Sequence, residues 1–289
     1  MRIPELFGRG KPVFSFEFFL PKAAGDMGAF KATVLELKKL EPSFVTLTYG
    51  AGGSARERTI ETAGALKNEI GIETAAHLTC VAHTRAEIDA VLERVRGFGI
   101  ENIVALRGDD PKDGPTAPLD LREFGYASDL VRHIRKLDHF AMAVAGYPEK
   151  HPEALSVGAD VAHLKEKVDA GAHWIITQLF FDNDDYFAFR DRAREAGISC
   201  PIVPGIMPVT GFTQLRRFAS MCGAKIPLEM GHALHGIQAD PEALVDYGIE
   251  YAVRQCRALL DGGAPGIHFY TLNRSRSTAT ILKLLRKHA

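Results

Sequence analysis

Eight short apolar runs, each too brief for a helix and separated by helix-length segments, constrain this chain more than any other feature. They are 12–19, 44–50, 73–80, 101–108, 140–148, 173–181, 201–209 and 265–274. Segments 27–40, 54–70, 85–97, 127–137, 154–171, 185–197, 213–221 and 241–262 lie between them and carry apolar residues at helical spacing. Gly71, Gly99, Gly171 and Gly197 follow four of these segments and supply the left-handed residue with which helices commonly end. Strand and helix alternating in this way is the pattern of an α/β chain closed into a parallel (β/α)8 barrel, the TIM barrel. In such barrels chemistry gathers at the C-terminal ends of the strands. The runs end in side chains that a buried strand does not need: Glu17, Thr48 with Tyr49, His77, Arg107 with Asp109, Tyr147, Gln178, and Tyr270 with Arg274. These are expected to converge on one mouth.

At 289 residues and 46% hydrophobic, the chain can bury one large core, and a single domain spanning 1–289 is expected. A formal net charge of -1 without any long Lys/Arg run argues against a nucleic-acid surface. No stretch reaches the roughly 18 uninterrupted apolar residues of a membrane span, and 1–14 lacks the apolar core of a signal peptide, so a cytoplasmic protein is expected. Cys80, Cys200, Cys222 and Cys256 stand far apart, which suggests neither a disulfide framework nor a metal site. The G-x-G-x-x-G, Walker A, H-E-x-x-H and G-x-S-x-G patterns are all missing from the sequence.

Side-chain parity sharpens the candidates. In Val13 to Phe19 the phenylalanines Phe14, Phe16 and Phe18 share one face and Ser15 and Glu17 the other. Glu17 should therefore point into the barrel, where desolvation would raise its pKa toward that of a general acid. The alternative is an ion-pair partner at a strand end. Arg107 and Asp109 share a parity and are both expected to face the mouth, although a salt bridge at the strand end would also explain them. His77 shares a face with Thr79; by itself it could be a satisfied core histidine. Gly50 to Ser54 could receive an anion on free backbone N–H groups at a helix start, or be an ordinary turn. Asp160, His163 and Lys167 fall on one helix face, either solvated or functional. Asp109 to Phe124 reads as a long irregular loop at the active face.

Taken in order, several motifs make the chain resemble the bacterial-type methylenetetrahydrofolate reductases over about Phe14 to Arg274. They are Phe14-Ser15-Phe16-Glu17-Phe18-Phe19, Val45-Thr46-Leu47-Thr48-Tyr49-Gly50-Ala51, His77-Leu78-Thr79-Cys80, Ala105-Leu106-Arg107-Gly108-Asp109, Tyr126-Ala127-Ser128-Asp129-Leu130, Tyr147 to Glu153, Lys167 to Ala172, Pro204 to Pro208 and Phe269 to Arg274. Leu20 departs from the family pattern, which has a second proline there, and His163 replaces an asparagine of an enterobacterial member.

The resemblance implies a barrel holding FAD at the strand ends, with NAD(P)H and methylenetetrahydrofolate using one flavin face in turn, in a homo-oligomer. It implies that Glu17 protonates the folate as its ring opens and that Asp109 sits near flavin and pterin. It implies flavin contacts at Thr48, Ala51, His77, Arg107, Gly108, Asp109, Tyr126, Ala127, Tyr147, His151, Asp160, His163 and Lys167. Gln178, Gln214, Phe218, Tyr270 and Arg274 fall where the family binds folate or nicotinamide. A cofactor-free barrel lyase or aldolase using Glu17 and Asp109 as an acid/base pair is the alternative; it needs a metal or a Schiff-base lysine, and no strand end offers a lysine.

Overall fold

The computed structural model describes residues 1–21, 23–49, 53–110, 119 and 122–287. Its strands are β1 (Val13–Phe18), β2 (Phe44–Leu47), β3 (Thr74–Thr79), β4 (Asn102–Leu106), β5 (Ala141–Gly146), β6 (Trp174–Thr177), β7 (Ile202–Val203), β8 (Gly205–Ile206) and β9 (Gly266–Tyr270). All pair in parallel, in the order β7-β6-β5-β4-β3-β2-β1-β9-β8. The run expected as one strand over 201–209 is split at Pro204, which has no N–H to give to a ladder. Its first half pairs with β6 and its second half with β9. The two short strands are thus one barrel strand broken at its middle, and the ring of eight closes through it.

Gly205 makes that closure possible. Its N–H donates to Thr177 Oγ1 at 2.9 Å, and a Cβ there would overlap Thr177 O and lie 2.6 Å from Tyr270 Cε2. The seam is reinforced by Tyr270, whose hydroxyl donates to Thr177 O at 2.6 Å.

The helices are α1 (Met27–Lys38), α2 (Gly53–Asn68), α3 (Arg85–Gly97), α4 (Ala127–Arg135), α5 (Val157–Ala170), α6 (Asn183–Glu195), α7 (Phe212–Cys222), α8 (Leu228–Gly236), α9 (Pro241–Asp261) and α10 (Arg276–Arg286). The sequence signalled all but α8 and α10. Gly71, Gly99, Gly171 and Gly197 take φ of +74, +71, +128 and +79° where helices end. Thr84 and Glu87 form a reciprocal cap on α3.

Alternation along each strand divides the core. Phe14, Phe16 and Phe18 face outward and pack with Phe30, Val34 and Leu37 of α1 in the layer between sheet and helices. Inside, Val13, Phe44, Ala75, Val104, Ala143, Trp174 and Val203 fill the barrel with Ile3 from the N-terminal segment. Trp174 and Phe44 are fully buried there, with ring centroids 6.4 Å apart. This apolar plug closes the barrel below the polar side chains of the mouth.

Candidate active site

The parity that sends the phenylalanines outward sends Glu17 inward, one residue before the end of β1. Glu17 is 7% exposed. Its Oε2 lies 3.3 Å from His77 Nε2 of β3 and 3.4 Å from His268 Nε2 of β9, and it accepts from Thr46 Oγ1 of β2 at 3.3 Å. The His268 ring is fixed from every side: Ser15 Oγ sits 2.8 Å from its Nδ1, Phe44 stacks at 6.3 Å and Tyr270 meets it edge-on at 5.4 Å. His77 is held less tightly. Its Nε2 is buried close to Glu17 but has no well-aligned hydrogen-bond partner in the protein.

The electrostatics of this cluster reverse the expectation for Glu17. Burial pushes its carboxyl upward and is the largest single influence. The charge of His77, the hydrogen bond from His268 and the close approach of both rings together outweigh it, and the pKa falls to about 2. The phenylalanine-rich strand pointed to desolvation alone, because the imidazoles come from β3 and β9, far away in sequence. His268 was missed although its signal was present, since it shares a face with Tyr270 in the last run.

Beside the cluster, the ends of β4 and β5 with α4 and α5 build a wall. The lumen-facing residues of β4 are Asn102, Val104 and Leu106, and Arg107 stands one residue past the strand's end, where alternation no longer sets its direction. Its guanidinium instead grips the Glu153 carboxylate with two bonds, of 2.6 and 2.8 Å. Gly108 then turns the chain at φ +84°, where a Cβ would meet Val81 and Thr79 within 3 Å, and leaves Asp109 exposed.

Tyr147 and His151 meet edge-on at 4.5 Å, and His151 N–H donates to Asp160 Oδ2 at 3.0 Å. Lys150 organises this loop by donating to the carbonyls of His151, Pro152 and Ala154 at 3.0, 3.4 and 2.7 Å. Half-buried Lys167 reaches β5 from the helix layer and donates to Ala145 O at 2.6 Å. Burial brings its amine down to about 8 against the opposing charge of Asp160. Tyr126, the residue before Ala127 opens α4, is 52% exposed and lies parallel to the His163 ring at 6.5 Å. Arg107, Tyr126, Tyr147, His151, Asp160, His163 and Lys167 are therefore brought together.

The opposite rim is built by α7 and the segment after β9. Thr210 Oγ1 donates to Gln214 Oε1 at 3.0 Å and accepts from Arg274 at 3.3 Å, which places Gln214 and Arg274 side by side. Phe218 is half-buried one turn further along α7 and packs on the cluster containing Leu215 and Val209. Gln178 folds back to accept from Leu179 N–H at 2.9 Å. The Tyr270 hydroxyl is already engaged in the seam. Thr48 extends the β1–β2 ladder, its N–H donating to Phe18 O at 2.9 Å. Ala51 and Gly50 lie outside the described residues, as does most of the loop expected over Asp109 to Phe124.

A cavity of about 580 Å³ lies not in the mouth but on the flank between α3 and α4, lined by Arg85, Phe124, Tyr126, Asp129, Arg132 and His133 among others. Arg85 pairs there with Glu123 at 3.6 Å and Arg132 with Asp129 at 2.9 Å, so it gathers no chemistry comparable to the mouth.

Fold and site together place the chain among the (β/α)8 barrel proteins whose functional groups converge at the strands' C-terminal mouth. Comparison with known proteins narrows this. The profile of the family described as methylenetetrahydrofolate reductase matches residues 2–286. A 5,10-methylenetetrahydrofolate reductase of Escherichia coli is 40% identical over 277 residues, covering 96% of this chain and 92% of the relative. Methylenetetrahydrofolate reductase (NADH) 1 of Arabidopsis thaliana is 41% identical over 292 residues, covering 97% of this chain. This chain spans about half the length of that plant relative, 49%. A solved protein from Clostridium thermocellum, described as binding two copies of 5-methyl-5,6,7,8-tetrahydrofolic acid, shares the fold at a TM-score of 0.65 and 12% identity, with 98% of this chain and 97% of that one covered. The chain belongs to the methylenetetrahydrofolate reductase family.

Proposed function

We propose that the chain reduces 5,10-methylenetetrahydrofolate to 5-methyltetrahydrofolate with electrons from NAD(P)H, using FAD held at the barrel mouth. The single observation that carries this is the buried Glu17–His77–His268 cluster at the mouth of a barrel of this family. Bound FAD would supply the two-electron hydride chemistry that no side chain of this chain can provide.

Two features of the protein fit such a group. Arg107 already holds a carboxylate in the two-pronged geometry that a phosphate also takes, and Lys167 and His151 stand in the same wall. His77 Nε2 is buried at the mouth 3.3 Å from Glu17 Oε2 but not well aligned with it, which leaves it able to turn toward a bound group. Tyr126, Tyr147, His151, Asp160, His163 and Lys167 would hold the cofactor from the β5 side, with Thr48, Gly108, Asp109 and Ala127 closing around it. Gln178, Gln214, Phe218, Tyr270 and Arg274 would receive folate or nicotinamide from the other.

The protein's own part in the chemistry is proton handling. A carboxyl at about 2 does not store a proton near neutrality, so Glu17 passes one rather than keeps it. Glu17, lying 3.3 Å from His77 Nε2 and 3.4 Å from His268 Nε2, with the Ser15 hydroxyl 2.8 Å behind the His268 ring, delivers a proton toward the substrate as the folate ring opens. The apolar layer below keeps water from competing. A cofactor-free lyase or aldolase would call for an amine facing the lumen; among the described strand residues no lysine does, and Lys167 sits on the helix side.

A visible spectrum tests the proposal. Purified protein, as isolated or reconstituted with FAD, should be yellow, bleach on adding NADH, and regain colour when methylenetetrahydrofolate follows. Protein that cannot take up FAD, or reduced flavin indifferent to the folate, would overturn it.

A further inference from the structure

The β1–β9 ladder stops at Glu17 opposite Tyr270. Beyond it, β1 is held by side chains. Thr271 Oγ1 donates to Glu17 O at 2.7 Å, and Thr271 N–H reaches the same oxygen at 3.3 Å. Asn273 then grips Phe19 with both ends of its carboxamide: Oδ1 accepts from Phe19 N–H at 2.9 Å and Nδ2 donates to Phe19 O at 2.7 Å. These are the two bonds that one peptide exchanges with another across a ladder, made here by a side chain. The backbone donor and acceptor of Phe19 also fix which way the amide is turned.

The chain accepts strain to make this grip. Leu272 and Asn273 both stand in the left-handed region, at φ 50 and 56°, where a leucine is poorly accommodated. Asn273 N–H donates to Thr271 Oγ1 at 3.2 Å and Arg274 N–H to Thr271 O at 2.9 Å, so the strained pair is locked into one turn. The next residue is Arg274, which bonds Thr210 at 3.3 Å on the rim that carries Gln214.

We propose that Asn273 is a positioning residue: through one side chain it sets the depth of Glu17 in the mouth and the place from which Arg274 reaches across it, keeping proton donor and substrate anchor in fixed register. This rests on the reading that Glu17 serves the folate half of the reaction.

Asn273→Ala and Asn273→Gly remove the grip, the glycine variant also relieving the left-handed strain. Flavin reduction by NADH should stay within about twofold of the parent, while methylenetetrahydrofolate reduction falls about ten- to a hundredfold with a higher KM, the scale of a misplaced reacting group. Hydrogen exchange at the Phe19 amide should accelerate at least about tenfold. Asn273→Asp keeps the acceptor for Phe19 N–H and loses the donor, so it should fall between.

Faster Phe19 exchange with undiminished folate reduction would overturn the proposal alone, as would equal loss of both half-reactions in the glycine variant. A parent protein that takes up FAD yet never reduces the folate would overturn the functional reading and the proposal with it.

Discussion

Removing the two imidazoles should reverse the direction in which Glu17 is perturbed. In the parent protein the carboxyl titrates at about 2, well below its ordinary 4.5, although burial alone drives it the other way. His77 and His268 therefore favour the carboxylate by more than burial disfavours it. In His77→Asn/His268→Gln both imidazole charges are gone, burial dominates over the remaining neutral donors, and the midpoint should rise above 4.5. The carboxyl carbon of 13C-labelled glutamate, assigned by loss of its resonance in Glu17→Gln, follows this directly. At pH 3.5 the parent signal should still be that of an ionised group, whereas the double variant should be mostly protonated.

The sign of the stability contribution follows. With its folded pKa depressed, the parent carboxylate stabilises the fold above pH 4.5, and that contribution is lost as pH falls toward 2. With the folded pKa raised in the variant, the carboxyl contributes below pH 4.5, and that contribution is lost as pH rises through the new midpoint. A double variant that still titrates below 4, or a parent that titrates at 4.5 or above, would refute the reasoning.

Glu17→Gln should retain flavin reduction by NADH and lose about 10²- to 10⁴-fold in methylenetetrahydrofolate reduction, as stopped-flow measurement of the two half-reactions would register; equal loss in both would point to a structural role. Gly205→Ala should lower stability by about 2–4 kcal/mol in denaturant unfolding, because its Cβ would be driven into Thr177 O and the Tyr270 ring at the seam. An alanine variant as stable as the parent would mean that the seam can open to admit a methyl group.

Much of the fold was legible because period-2 and period-3.6 patterns are local. Phe14, Phe16 and Phe18 against Ser15 and Glu17 gave the inside and outside of β1 from six letters, and the glycines that end the helices did as much for the connections. The break at Pro204 was also written in the sequence, but the run around it is apolar enough to read as unbroken. α8 was missed because it is inserted between α7 and α9, outside the repeat of strand and helix, and α10, which completes the repeat after β9, was not signalled in the sequence.

At the site, which residues gather near the mouth was easier to anticipate than what they do to one another. Strand parity paired Arg107 with Asp109, but β4 ends at Leu106, so alternation does not reach either residue. Glu153, 46 residues away, decides where the guanidinium goes. Glu17 was given the right face and the wrong direction of pKa shift for the same reason: burial can be inferred from neighbours in sequence, but His268, 251 residues distant, cannot.

The plugged floor of the barrel makes the reaction chamber a cul-de-sac. Behind Glu17 the polar path runs through His268 to the Ser15 hydroxyl and halts, for the next inward residue of β1 is Val13 and the cross-section there is filled by Phe44, Val104 and Trp174. Among the described residues, the apolar packing below Ser15 leaves no polar side chain of β1 to continue this path toward the floor. On the proposed reading, a proton given up by Glu17 would return through the mouth itself, so recharging would wait for product to depart.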